Sequence, residues 1–380
     1  MLVLNAGSSS LKFAAFGADG PAQSSVHGLV DGIGRRPRLA VADSDPEPVD
    51  AADHQGALDV VAAWLERQLQ GQRPTAVGHR VVHGGWHYDA PVRVDDGVLA
   101  VLDSLVPLAP LHQPQELAAI RAVAKRWAGV PQLVCFDTAF HRHRPEVAQM
   151  FALPRALFDS GIRRYGFHGL SYESIAEKLP RVAPDVAEGR VVVAHLGNGA
   201  SLCALRRRRS VDTTMTFSAL DGLPMGTRVG DLDPAVVLYL QQSRGMTPDA
   251  VQALLYTKSG LLGLSGISSD VRDLLAHPDP RARLALDYFA YRTAREVGAL
   301  AVSLGGLDAL VFTAGIGEHA APVRAAICRH LAWMGVVLDD AANDRHGPRI
   351  STDGSGVSAW VIPTDEEAMI ARHLERMAGR

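Results

Sequence analysis

Leu2-Val3-Leu4-Asn5-Ala6-Gly7-Ser8-Ser9-Ser10-Leu11-Lys12-Phe13-Ala14-Ala15-Phe16 is the stretch on which the reading of the fold turns. Two short β-prone runs, Leu2–Leu4 and Leu11–Phe16, flank a polar Gly/Ser segment, which predicts two antiparallel strands joined by a tight turn. A similar unit recurs in mid-chain: Val191–Leu196, then Gly197-Asn198-Gly199-Ala200-Ser201, then Leu202–Leu205. A third strand-to-turn junction follows at Leu310–Thr313 with Gly315-Ile316-Gly317-Glu318. The repetition points to two related halves.

Between these units lie helical patterns. Leu58, Val61, Trp64, Leu65 and Leu69 share one helical face, and Asp233-Pro234 supplies an N-cap before an apolar run to Leu240. The longest pattern spans 282–304, another runs over Pro322–Met334, and Thr364-Asp365-Glu366-Glu367 fits a capping box opening the last helix at Thr364. Residues 31–54, rich in Arg, Gly, Pro and Asp, read as an irregular surface excursion. The mixture is α/β.

The 380 residues suffice for two or three domains with full cores. A net charge of −3 argues against nucleic acid as a partner, and no apolar run is long enough for a membrane span. The N-terminus turns polar at Asn5 without a basic lead-in, so a secretion signal is not expected and a cytoplasmic location is. Three scattered cysteines fit neither a disulfide framework nor a paired zinc site. Of 38 basic residues only Lys12, Lys125, Lys178 and Lys258 are lysines, so a lysine in a suggestive place stands out.

Three Gly-rich turns after β-runs suit phosphate handling, because glycine lets backbone N–H groups approach closely and hydroxyl side chains add donors. The sequence contains no P-loop and no complete dinucleotide fingerprint. His79, His83 and His87 are four apart, but Val81-Val82 and Gly84-Gly85 favour a strand entering a loop, which scatters the imidazoles. Attention moves to Arg80, a forked donor for carboxylate or phosphate, and to Arg228 in a second Gly-containing loop. Asp137 ends the run Leu133–Phe136, and His168 sits in Tyr165-Gly166-Phe167-His168-Gly169, where a buried histidine held by backbone is the plainer alternative. Arg206–Arg209 reads as an exposed turn.

These motifs in this order resemble the acetokinase family, in the superfamily of sugar kinases, actin and heat-shock chaperones. The resemblance runs from Asn5–Lys12 to Pro363–Glu367 through His79–Gly85, Phe136–His141, Tyr165–Gly169, His195–Gly199, Met225–Arg228, Ser265–Asp270 and Thr313–Glu318. It implies two ribonuclease-H-like domains with an interdomain nucleotide cleft. The first would hold 1–137 plus 368–380, and the second, nucleotide-binding domain 138–367. It also implies reversible phosphoryl transfer between ATP and acetate, giving ADP and acetyl phosphate, with Mg2+ and a homodimer.

Residue by residue, the resemblance puts Arg80 on the carboxylate and transferring phosphoryl group, with Arg228 and His168 stabilising the transition state. Asp137 takes the family's proton-transfer position. Because acetate is already ionised at neutral pH, a role orienting an arginine or a metal-bound water is the expectation here. Val82, Leu111, Phe167 and Ala219 would wall the methyl pocket, and Asn5 and Glu366 would supply oxygens to Mg2+. Lys12, Ser8 and Ser10 match the phosphate side. His195, Leu196, Gly197, Asn198 and Gly199 match nucleotide segments, as do Asp270, Val271 and Arg272, and Gly315, Ile316, Gly317, Glu318 and His319. Three departures stand out: Gln113 and His319, where the family usually has Asn, and Ala219, where it usually has Pro. The smaller Ala219 predicts easier acceptance of propionate. The alternatives are a propionate- or butyrate-preferring carboxylate kinase, and a non-catalytic nucleotide-dependent binding protein of the actin type.

Overall fold

The computed structural model describes residues 1–7, 9–17, 25–42, 44–68, 71 and 73–379. They form two compact units, one of Met1–Arg142 with Asp365–Arg380 and one of His143–Thr364. Ser8 and Leu69 lie outside the described residues.

The first unit carries strands β1 (Leu2–Ala6), β2 (Ser10–Phe16), β3 (Ser25–Asp31), β4 (Arg38–Val41), β5 (Glu47–Pro48), β6 (Val77–Val81), β7 (Val92–Arg93) and β8 (Gln132–Phe136). Their order in the sheet is β5-β4-β3-β2-β1-β6-β8-β7. The opening stretch pairs as its spacing predicts, β1 antiparallel to β2 with Asn5 opposite Lys12 and Ala6 opposite Leu11. β6 and β8 then add in parallel. The excursion at 31–54 is more ordered than its composition suggests, since β4 and β5 extend the sheet as its outer antiparallel strands. Charged and Pro-containing edge strands are a known protection against edge pairing.

One face of this sheet buries Leu2, Leu4 and Phe13 against Leu58, Val61 and Leu65 of helix His54–Gln68 and Val123 of helix Gln113–Arg126. Helix Glu366–Met377 packs on β6 through Ile370, so close that a Cβ on Gly78 would meet Ile370 at 2.4 Å. The N-cap of this last helix lies one residue later than the capping box predicts. Asp365, not Thr364, is the N-cap and accepts from the Ala368 N–H at 2.8 Å. Its short carboxylate reaches the orphan N–H, while the Thr364 N–H goes to Glu318 Oε1 at 3.1 Å. Glu366 thereby becomes the first helical residue.

The second unit repeats the scheme with β9 (Arg190–Leu196), β10 (Ala200–Arg206), β11 (Arg209–Thr213), β12 (Ala309–Thr313) and β13 (Ser358–Val361), ordered β11-β10-β9-β12-β13. β9, β10 and β11 are antiparallel, and β12 and β13 parallel to β9, as β1, β2, β3, β6 and β8 are in the first unit. Both sheets thus have the ribonuclease-H-like order. Val191, Val192, Val193 and Ala194 are fully buried, the continuous apolar run of a strand covered on both faces. Arg207 and Arg208 turn the β10–β11 hairpin at φ 51 and φ 60. The junction after β12 is not a loop: Ala314–His319 is helical, and Glu318 Oε1 accepts the Ala314 N–H at 2.8 Å.

Candidate active site

In the first unit, neighbouring parallel strands bring their polar ends together, as open α/β sheets do. Asn5 is next to last in β1, Arg80 next to last in β6, and Asp137 follows β8, where its N–H bonds to Val81 O at 3.2 Å. Arg80 grips Asp137 with two donors, Nε to Oδ1 at 3.0 Å and Nη2 to Oδ2 at 2.6 Å. Its Nη1 donates to Asn5 Oδ1 at 3.2 Å, and Glu366 Oε2 stands 3.6 Å from Nε. The Asp137 side chain is 1% exposed and that of Arg80 18%, so the pair is nearly dry but the guanidinium still reaches solvent.

Burial opposes the Arg80 charge, but Asp137 and Glu366 outweigh it and hold the guanidinium above its ordinary value. Glu366 is pushed up to about 7, first by burial, against the pull of Arg80 and with Asp137 adding to the rise. Asn5 and Glu366 are hard oxygen donors gathered on one cation, a set that fits Mg2+, which takes one or two protein oxygens. Among the described residues no group of three or more His, Cys, Asp or Glu side chains forms a metal cage. Val82 is buried just beyond β6, while Leu111 is 36% exposed in the turn before helix Gln113–Arg126. Lys12 lies opposite Asn5 on β2 and, with Glu367, lines a separate hollow of about 260 Å³. Ser10 begins β2 and its carbonyl accepts the Gly7 N–H.

In the second unit His168 is the N-cap residue of helix Gly169–Val182 and sits at φ 58. A left-handed conformation costs a residue with a Cβ about 1–2 kcal/mol, so the surrounding packing must impose it. The ring stacks on His195 at 4.1 Å, and its Nδ1 is 2.8 Å from Ser201 Oγ, which also meets the Tyr172 hydroxyl. His195 Nδ1 is tied in turn to Ser171 Oγ at 2.8 Å. A Cβ placed on Gly199 would lie 3.3 Å from His168 Nε2 and 3.7 Å from Arg228 Nη1, so the two side chains converge over that glycine. Arg228 Nη1 donates to Ala219 O at 2.8 Å, which puts the arginine and the candidate pocket wall side by side. Phe167 is buried beside His168.

The nucleotide segments sort into two groups. Gly197, Asn198, Asp270, Val271, Arg272, Gly315, Ile316 and His319 line one open cavity of about 740 Å³, together with Ser269, Leu275, Ala320 and Pro322. His195, Leu196, Gly199, Gly317 and Glu318 do not line it. Glu318 is occupied structurally, accepting from Ala314 N, Thr313 Oγ1 and Thr364 N. Arg324, fully buried, holds the carbonyls of Gly317 and Glu318 at 2.9 Å each. Sequence reasoning passes over Ser171, Tyr172, Ser201 and Arg324. Only the placement of Ser201, within the motif Gly197–Ser201, signals its part.

The sequence model of the acetokinase family matches residues 1–372. The chain is 53% identical, over 98% of its length and 95% of the relative's, to an acetate kinase from Nitrobacter hamburgensis. It is 54% identical to one from Rhodopseudomonas palustris, over 100% of this chain and 98% of that one. Among solved structures it resembles the acetate kinase of Porphyromonas gingivalis (TM-score 0.90, 34% identity, 99% of both chains). It also resembles a propionate kinase from Francisella tularensis (TM-score 0.93, 35% identity, 98% of both chains).

Proposed function

The chain belongs to the acetokinase family, and on that premise we propose that it catalyses reversible phosphoryl transfer between ATP and acetate. The observation that carries this reading is identity above 50% to acetate kinases across essentially the whole of both chains. A non-catalytic binding protein is not favoured.

Acetate needs no general base, since simple carboxylic acids ionise near pH 4–5. The obstacle is charge: one anion must approach another, so positioning and neutralisation carry the catalysis. Arg80 takes the carboxylate, and Arg228 and His168 steady the transferring phosphoryl group. Asp137 orients Arg80 rather than moving a proton; both its oxygens are already engaged by the guanidinium. Val82, Leu111, Phe167 and Ala219 face the methyl group. Lys12, Ser8 and Ser10 serve the phosphates, with His195–Gly199, Asp270–Arg272 and Gly315–His319 serving the rest of the nucleotide. Mg2+, held by Asn5 and Glu366, supplies neutralisation of phosphate charge when bound.

Propionate is a second substrate in this reading, favoured by Ala219 and by the likeness to a propionate kinase. The reading is completed by a cytoplasmic location and by a homodimer. Helix Pro234–Gln242 supports the latter: it is apolar yet buries no residue, leaving Leu238 and Tyr239 more than half exposed. Trapping acyl phosphate with hydroxylamine, given ATP, Mg2+ and a panel of C2–C4 acids, tests the whole. Acetyl hydroxamate is the expected product, and none from any acid overturns the assignment.

A further inference from the structure

Helix Gln113–Arg126 opens with a turn whose polar side chains point inward. Gln113 is 0% exposed and Glu116 2%. Three residues apart, they share a helical face and reach two nearby peptides of one loop. Glu116 Oε2 accepts the Val82 N–H at 3.0 Å, and Gln113 Nε2 donates to His83 O at 3.1 Å. Thr138 Oγ1 takes the next free donor, the Gly84 N–H, at 3.0 Å. Two peptides after β6, Val81–Val82 and His83–Gly84, are therefore held by side chains.

Glu116 is an expensive residue for this task. Its second oxygen, Oε1, is buried with no hydrogen-bond partner among the described residues. A buried acceptor left unmatched is a cost that packing alone does not require. What it secures is the backbone of Val82. Val81 points into the apolar cluster with Val134 and Phe136. Arg80 and Val82 flank it, two residues apart, the spacing that returns side chains to one face of an extended strand. The carboxylate-binding arginine and the alkyl-facing valine thus belong to one short stretch whose geometry depends on Glu116.

We propose that Glu116 is a positioning residue that fixes Val82 relative to Arg80 and so sets the length of acyl chain the enzyme accepts. The proposal rests on the acetate-phosphorylating reading above. Burial pushes the Glu116 carboxyl up to about 8, against the pull of the Val82 N–H and the Arg80 charge.

The test compares Glu116→Met, which keeps the volume but lacks the acceptor, with Glu116→Gln, whose amide oxygen still accepts. Acetate and propionate kcat/KM and the KM for ATP are measured for each by hydroxamate formation. In Glu116→Met the acetate KM rises about tenfold and the propionate-to-acetate ratio grows severalfold, while the ATP KM stays within about twofold. Glu116→Gln restores all three. Should Glu116→Met not fold, Glu116→Asp, one methylene too short for Val82, carries the same comparison. A folded Glu116→Met, or Glu116→Asp in its place, whose ratio of the two acids is unmoved overturns the inference, as does a loss shared equally by acetate and ATP. Wild-type protein inactive on every acid overturns the functional reading and this inference together. An active wild type with an unmoved ratio overturns this inference alone.

Discussion

The two sheets share a strand order but not a chemistry. Where β1, β6 and β8 end, the first unit gathers the charges of Arg80, Asp137 and Glu366 and the amide of Asn5 into a dense, largely buried set. Where β9 and β12 end, the second places Gly197, Asn198, Gly315, Ile316 and His319 around an open cavity, with Asp270 and Arg272 as its charged lining. The scaffold decides only that strand ends collect side chains. The residues placed there decide whether the result is a charged, nearly closed cluster or an open cavity lined by glycine and small polar groups.

That contrast is most sharply tested at Arg80. Arg80→Ala should lower kcat about 10²–10³-fold or more, as removal of a preorganised charge donor does, with ATP affinity by calorimetry nearly unchanged. Arg80→Lys should recover little, because an ammonium cannot make the two-pronged contact to Asp137. A collapse of nucleotide binding in either variant breaks the division between the regions. Asp137→Asn comes next, with a loss of about 10²-fold in kcat at all pH values because the arginine loses its anchor. A pH–rate limb that vanishes specifically in this variant would return Asp137 to a proton-transfer role.

A smaller effect is expected in the second unit. Ala219→Pro should move the propionate-to-acetate ratio of kcat/KM toward acetate by about tenfold, since one methylene in an apolar pocket is worth about 1–3 kcal/mol. An unchanged ratio removes Ala219 from the pocket wall. The mildest expectation concerns stability. Glu116 titrates at about 8 in the fold against 4.5 ordinarily, driven first by burial, with Asp137 adding and Arg80 opposing. Between those values the folded protein keeps a proton the unfolded chain has released, so stability falls as pH rises from about 4.5 to about 8. Glu116→Gln has no such proton. Its Tm should gain on wild type by several degrees between pH 5 and pH 9, and parallel Tm profiles would show the carboxyl to be ordinary.

Much of this was legible in the residues. The β-turn-β spacing of 2–16 and 191–205 announces both sheets, and the motifs around Arg80, Asp137 and His168 mark strand and loop ends where side chains can converge. What sequence hides is burial. Glu116 reads as one more charge on an amphipathic helix, and Arg324 as one arginine among many, although each is enclosed and holds backbone, Glu116 after β6 and Arg324 at the end of helix Ala314–His319. The junction after β12 is equally illegible. Two glycines suggest a loop, yet the segment is a short helix whose first N–H is taken by the Glu318 side chain. The capping box failed for a related reason: Thr364 and Asp365 are both competent caps, and the claim of Glu318 on the Thr364 peptide decides between them.

The division of the chain also imposes an order of birth. The second unit is one uninterrupted segment, His143–Thr364, whereas the first is split between Met1–Arg142 and Asp365–Arg380. A ribosome making this protein delivers Asn5, Arg80 and Asp137 early, but Glu366 and the helix that packs on Gly78 emerge only after the whole second unit. The charge cluster on Arg80 is therefore closed by a late arrival. Nascent chains halted before residue 365 carry the guanidinium without its second carboxylate, and the first unit's sheet without the helix that covers β6.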